Sequence, residues 1–121
     1  MNARAAIASL GAGRMGRGIA VAFTYAGHPV TLVDFKPRDA ASFARLAAEA
    51  TDEVRGTLTS LARIGLFDED KVDRIVARVA VVRESEAGAA LSSAAVTFEG
   101  IQVGEPITTA VRGSRATAPC A

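Results

Sequence analysis

Ala5-Ala6-Ile7-Ala8-Ser9-Leu10, then Gly11-Ala12-Gly13-Arg14-Met15-Gly16, decide how this chain folds. A short apolar run stops at a cluster of glycines, and a helical pattern starts at once. A short apolar run of this kind reads as a strand buried on both faces, the environment of a parallel sheet, though its alanines make the signal weak. From about Met15 to Ala26, residues Ile19, Ala20, Ala22 and Phe23 fall on one helical face. Gly27 is a natural stop for that helix. Pro29-Val30-Thr31-Leu32-Val33 reads as a second strand, with proline tolerated at its first position. Strand, glycine turn, helix and strand within about thirty residues make a βαβ unit, which crosses over right-handed.

The glycine spacing carries a chemistry. Gly11 permits the tight turn out of the strand, Gly13 lets a phosphate group approach the backbone, and Gly16 allows close packing of the helix. The free N–H groups at the helix start, aided by the helix dipole, then favour an anion. Arg14 adds a cation at the rim. Asp34 ends the second strand about 20 residues on, where a carboxylate accepts hydrogen bonds from an adenosine ribose. Strand before, helix after and acid at this distance are the contexts that confirm a dinucleotide-binding fingerprint. The expected binding set is Gly11, Ala12, Gly13, Arg14, Met15, Gly16 and Asp34. A carboxylate there repels a 2′-phosphate, which favours NAD over NADP; Lys36 and Arg38 keep NADP as the lesser reading.

Beyond Asp34 a long helical segment is expected over Arg38 to Ile64, with Phe43, Ala47, Ala50, Val54, Leu58 and Leu61 recurring every three or four residues. Gly56 interrupts it and Gly65 ends it. Asp68 is placed to cap a further helix reaching about Arg78, with Val72, Ile75, Val76 and Val79 inward. Val79 to Val82 and Ala94 to Glu99 read as strands three and four. After Ile101 the pattern is lost: Thr108 to Ala121 contain no aromatic, leucine or isoleucine. Such a segment buries too little to offset its ordering entropy. The expected organisation is a partial NAD-binding Rossmann domain over 1–107 and a disordered tail over 108–121. The fold class is α/β, a Rossmann-type parallel sheet with a long helical excursion after strand two and an incomplete second half.

Composition narrows the function. The chain has 121 residues, of which 50% are hydrophobic and 22% charged, enough for one globular domain. A net charge of +1 gives no reason to expect a nucleic-acid or membrane partner. The lone Cys120 cannot close an internal disulfide and has no second cysteine to share a metal, which fits a reducing, cytoplasmic setting. No acidic residue precedes Asp34, as in a transit peptide, but the fingerprint lies inside that stretch and assigns it to the fold. His28 reads as an exposed turn residue, Ser9 as core, and Asp68-Glu69-Asp70 as a helix start. None is assigned as catalytic or metal-binding.

The stretches Gly11 to Ala20 and Ala26-Gly27-His28-Pro29-Val30-Thr31-Leu32-Val33-Asp34 resemble the NAD-binding domain of 3-hydroxyacyl-CoA dehydrogenases. The helical arm and the strand Val96-Thr97-Phe98-Glu99-Gly100 strengthen the likeness, which covers about residues 5 to 101. It implies oxidation of a (3S)-hydroxyacyl-CoA to the 3-ketoacyl-CoA with hydride transfer to NAD. It also implies that the arm helps bind CoA, with Thr57 near where a hydroxyl contact would fall. The sequence departs from the family after Glu99. Val103 stands where a second glutamate is expected, and no lysine follows Lys71. The family's histidine–glutamate pair and helical C-terminal domain belong further on. The expectation is therefore a truncated or terminally altered domain, as from a shifted frame or broken gene, that binds NAD but does not turn over acyl-CoA. The alternative is a non-catalytic nucleotide-binding module completed by a partner chain, for which co-purification is the discriminating observation. Acyl-CoA enters as substrate only in a full-length form.

Overall fold

In a computed structural model of the chain, which describes residues 4–99 and the backbone of 117–119, β1 (Ile7–Leu10) is the inner strand of a parallel sheet. Its neighbours are β2 (Val30–Asp34) and β4 (Val96–Glu99). Outside them pair β3 (Val79–Arg83) and the short β5 (Thr117–Pro119), giving the order β3-β2-β1-β4-β5. Leu10 is level with Val33 on one side and Glu99 on the other, so the three inner strands finish together. The chain builds outward from β1 to β3, then returns to the far side of β1. That reversal defines a doubly wound sheet and opens a crevice at the carboxyl ends of β1 and β4.

Helices cover both faces, which is why β1 is buried at every residue. Side chains alternate along each strand. Ile7, Val30 and Leu32 meet α1 (Arg14–Tyr25), α2 (Ala40–Arg63) and α3 (Val72–Val76) on one face. Ala8, Leu10 and Val33 meet the short α4 (Ala87–Ser93) on the other. The long arm α2 packs through one stripe, Ala50, Val54, Leu58 and Ala62, spaced four residues apart. Its start is fixed by Asp39, whose side chain accepts a hydrogen bond from the Ser42 N–H at 2.7 Å. That bond holds the Asp39 carboxyl below its ordinary range.

Several expectations need correction. The first helix faces inward through Gly16, Ala20 and Thr24, whereas Ala22 is exposed. At about 100° per residue, Ala22 lies on the far side from Ala20. The arm runs unbroken through Gly56, and its start, expected near Arg38, falls at Ala40 because Asp39 supplies the cap. The helix after Asp68 is a 3₁₀ turn, Glu69–Lys71, followed by α3; it ends at Val76, and Val79 already belongs to β3. Asp68 sits at the start of that turn without a side-chain cap bond. A 3₁₀ turn, Glu84–Glu86, and α4 lie where no element was expected; the segment has one large apolar residue, Leu91, too few to show a period. Of the segment 108–121, only 117–119 are described, and they form a strand along β4. Val103, the other tail residues and Cys120 lie outside the described residues.

Two stability measurements follow. Leu58 is fully buried, so Leu58→Ala is expected to cost about 2–5 kcal/mol in denaturant unfolding. The exposed neighbour Thr57→Ala should be within about 0.5 kcal/mol of wild type. A lowered carboxyl pKa in the folded state stabilises above the unfolded value and is lost as pH falls through the folded one. The melting difference between wild type and Asp39→Ala should therefore be present at neutral pH, begin to shrink near about pH 4 and be lost as pH falls through the lower folded value. A difference that persists at lower pH would contradict the cap assignment.

Candidate functional site

Where β1 ends, the backbone must turn sharply into α1. Gly11 makes that turn at φ 123°, a left-handed conformation unfavourable to any residue with a Cβ. Its N–H bonds the Val33 carbonyl at 2.8 Å, so the turn is fastened to β2. Its carbonyl then faces α1 at very short range. A Cβ on Gly16 would stand 2.3 Å from that oxygen, which no side chain tolerates. Gly16 is thus required by the loop itself, more than by the sheet. Ser9 is buried as expected and donates its hydroxyl to the Gly11 carbonyl at 3.2 Å.

Gly13 is different. It caps α1 in extended backbone, and a Cβ there would meet nothing within 4 Å. No side chain caps the first turn of α1, and no acidic residue lies in it. The helix N-terminus therefore presents open N–H groups over a glycine, which is the donor set and the clearance that an anion such as a pyrophosphate requires. Arg14 is exposed at the rim and Met15 is 42% exposed beside it. Ala12 is buried and forms part of the core.

Arg17 was not singled out by the sequence reading. Its Nε donates to the Ala12 carbonyl at 3.0 Å, and a terminal nitrogen pairs with Glu53 of α2 at 2.9 Å. The loop is thereby braced to the arm. The signal for it was a cation one turn into the helix, too common to weigh by itself. A cleft of about 270 Å³ lies against this brace, lined by Arg14, Arg17, Gly18, Glu53, Val54 and Thr57. Thr57 is thus on the loop side of the arm.

Asp34 ends β2 with 6% exposure, level with Arg83 of β3. One carboxylate oxygen accepts from Arg38 Nε at 2.7 Å and the other from the Lys36 N–H at 3.4 Å. These residues line a cavity of about 310 Å³ with Phe43 and Arg83. The glycine loop and the acid therefore share the carboxyl edge of the sheet, as the sequence reading requires. His28 is at the opposite end of β2. It is half-buried rather than exposed, with Nδ1 2.8 Å from the Ala5 carbonyl and its ring edge-on to Phe23. Among the described residues, no group of three metal-ligating side chains comes together, and no helix is long and apolar enough to cross a membrane.

Residues 6–106 match the family model for the 3-hydroxyacyl-CoA dehydrogenase NAD-binding domain. The chain belongs to this family. Its cofactor is NAD, and the open helix terminus, bare Gly13 and strand-end acid fit that group. A comparison with the curated proteins gives no match. Among solved structures, the chain is similar to (S)-3-hydroxybutyryl-CoA dehydrogenase from Ralstonia eutropha, with TM-score 0.66, 21% identity, and coverage of 83% of this chain and 32% of that one. It is also similar to 3-hydroxybutyryl-CoA dehydrogenase from Escherichia coli, with TM-score 0.62, 27% identity, and coverage of 82% and 19%. The chain thus spans about a third or less of the length of these relatives.

The two glycines inside α1 give opposite expectations for one substitution. Gly16→Ala must displace backbone, so it should destabilise by about 1–3 kcal/mol, as overpacking does. Gly18→Ala, in the same helix with nothing within 4 Å, should stabilise by about 0.5–1 kcal/mol. Equal effects in thermal unfolding would contradict the loop contact.

Proposed function

We propose that the chain holds NAD along the carboxyl edge of the sheet. The pyrophosphate lies on Gly11, Ala12, Gly13, Arg14, Met15 and Gly16 at the α1 terminus, and the adenosine ribose lies on Asp34. The single observation that carries this reading is Gly13, a bare helix cap with open space where a side chain would stand. It also makes the test clean. Gly13→Val has a permissible φ of −85° and a Cβ with nothing within 4 Å, so the variant should remain folded, losing only about 1 kcal/mol as a poorer helix cap. It should nonetheless lose NAD binding by calorimetry, because the new side chain fills the cradle. Asp34→Ala should weaken NAD by tenfold or more. Unchanged affinity in both variants would overturn the assignment.

In a protein carrying the rest of the family's machinery, the reaction served is oxidation of a (3S)-hydroxyacyl-CoA, such as a 3-hydroxybutyryl-CoA, within fatty-acid metabolism. NAD supplies the hydride acceptor when bound. The residues here position that cofactor; they do not take the hydroxyl proton. A positioned base contributes about 10²–10⁴-fold to such a step. The one histidine of the 121, His28, is held against the Ala5 carbonyl at the far end of β2. The 121-residue chain is therefore expected to bind NAD without forming NADH from 3-hydroxybutyryl-CoA. Turnover in protein purified free of host dehydrogenases, surviving His28→Ala, would place the chemistry in residues not recognised here. The single cysteine fits a cytoplasmic setting for this function.

A further inference from the structure

We propose that the cavity beside Asp34 is a 2′-phosphate subsite, with Arg38 as the residue that determines specificity, so that the chain takes NADP as well as NAD. This rests on the reading of Asp34 as the ribose-binding acid. Discrimination against NADP comes from an unpaired carboxylate facing the ribose 2′ position, where it repels a phosphate dianion. Asp34 is not unpaired. Arg38 Nε holds one of its oxygens at 2.7 Å, and its backbone neighbour Lys36 approaches the other.

The pairing does more than neutralise the acid. Arg38 spends only Nε on Asp34, and among the described residues its terminal nitrogens make no hydrogen bond. A guanidinium held through Nε presents a two-nitrogen fork suited to phosphate oxygens. The cavity beside it carries three cations, Lys36, Arg38 and Arg83, against the carboxylates of Asp34 and Glu84. Asp39 accepts its own helix-cap bond and lies close enough for the Arg83 charge to act on it. Arg83 is fixed by register opposite Asp34 and lies over the Phe43 ring, 4.9 Å from its centroid. Among the residues lining the cavity the cations outnumber the acids by one, and Arg38 offers an added phosphate a charge-assisted partner while it holds Asp34.

Calorimetric titration of the full chain with NAD and NADP, and with 5′-ADP and 2′,5′-ADP as the matched half-cofactors, tests this. NADP is expected to bind within tenfold of NAD. The NADP-to-NAD affinity ratio should fall tenfold or more in Arg38→Ala and in Arg38→Gln, with folding checked by circular dichroism. Arg45→Ala, which removes an exposed cation on the arm outside the cavity, should leave the ratio unchanged. NADP weaker than NAD by more than tenfold in the wild-type chain would overturn the subsite. So would a ratio indifferent to both Arg38 variants, or one shifted equally by Arg45→Ala. Failure of NAD and NADP alike would instead overturn the reading of Asp34 and the glycine loop.

Discussion

The contact between the Gly11 carbonyl and the bare Cα of Gly16 is the constraint on which the rest depends. It brings the start of α1 hard against the end of β1, closer than any side chain permits. Three further bonds lock the same few atoms: Ser9 to the Gly11 carbonyl, the Gly11 N–H to Val33, and Arg17 to the Ala12 carbonyl. Every peptide group in the turn is thereby aimed, and the helix terminus opens on one side only. A longer turn would satisfy chain connectivity equally well, but it would not present the first-turn N–H groups in register above Gly13.

Packing holds this joint in place. α1 is gripped between the sheet and the arm, and the arm is set by an apolar stripe of four small or branched residues. Charged contacts decorate its outer side, with Arg17 to Glu53, Arg55 to Asp73 and Arg63 to Glu69. Exposed pairs of this kind contribute about 0–1 kcal/mol each, so the stripe and not the charges sets the arm's position. The exception in purpose is Arg17, whose guanidinium connects the loop to the arm and transmits the arm's position to the site.

The sequence made the joint legible because backbone geometry leaves a residue-type signature. Gly11, Gly13 and Gly16 are spaced by the turn, and Asp34 is where a strand must end. The strands were legible for a similar reason: Ile7–Leu10 and Val30–Asp34 are largely buried on both faces and read as mostly apolar runs. Short elements were not. α4 offers only Leu91 to a periodicity argument, and β5 has no apolar signature, since an edge strand is held by backbone pairing to β4. The inward face of α1 was misread at Ala22 because alanine carries too little hydrophobicity to mark a side. The Asp34–Arg38 pair was legible as spacing, four residues apart, but spacing alone does not show that the carboxylate is already engaged.

The proposed pyrophosphate cradle, ribose acid and 2′-phosphate subsite all lie on one edge of the sheet, and no part of the proposed cofactor site lies at the opposite edge. Amide chemical shifts during titration of the ¹⁵N-labelled chain with NAD read both edges at once. Changes are expected to concentrate at Ala12 to Gly16 and at Asp34 to Arg38, with the amides of Thr24 to His28 and of Phe67 unmoved. Changes centred instead on the Tyr25–Phe67 side of the molecule, with the glycine loop silent, would contradict it.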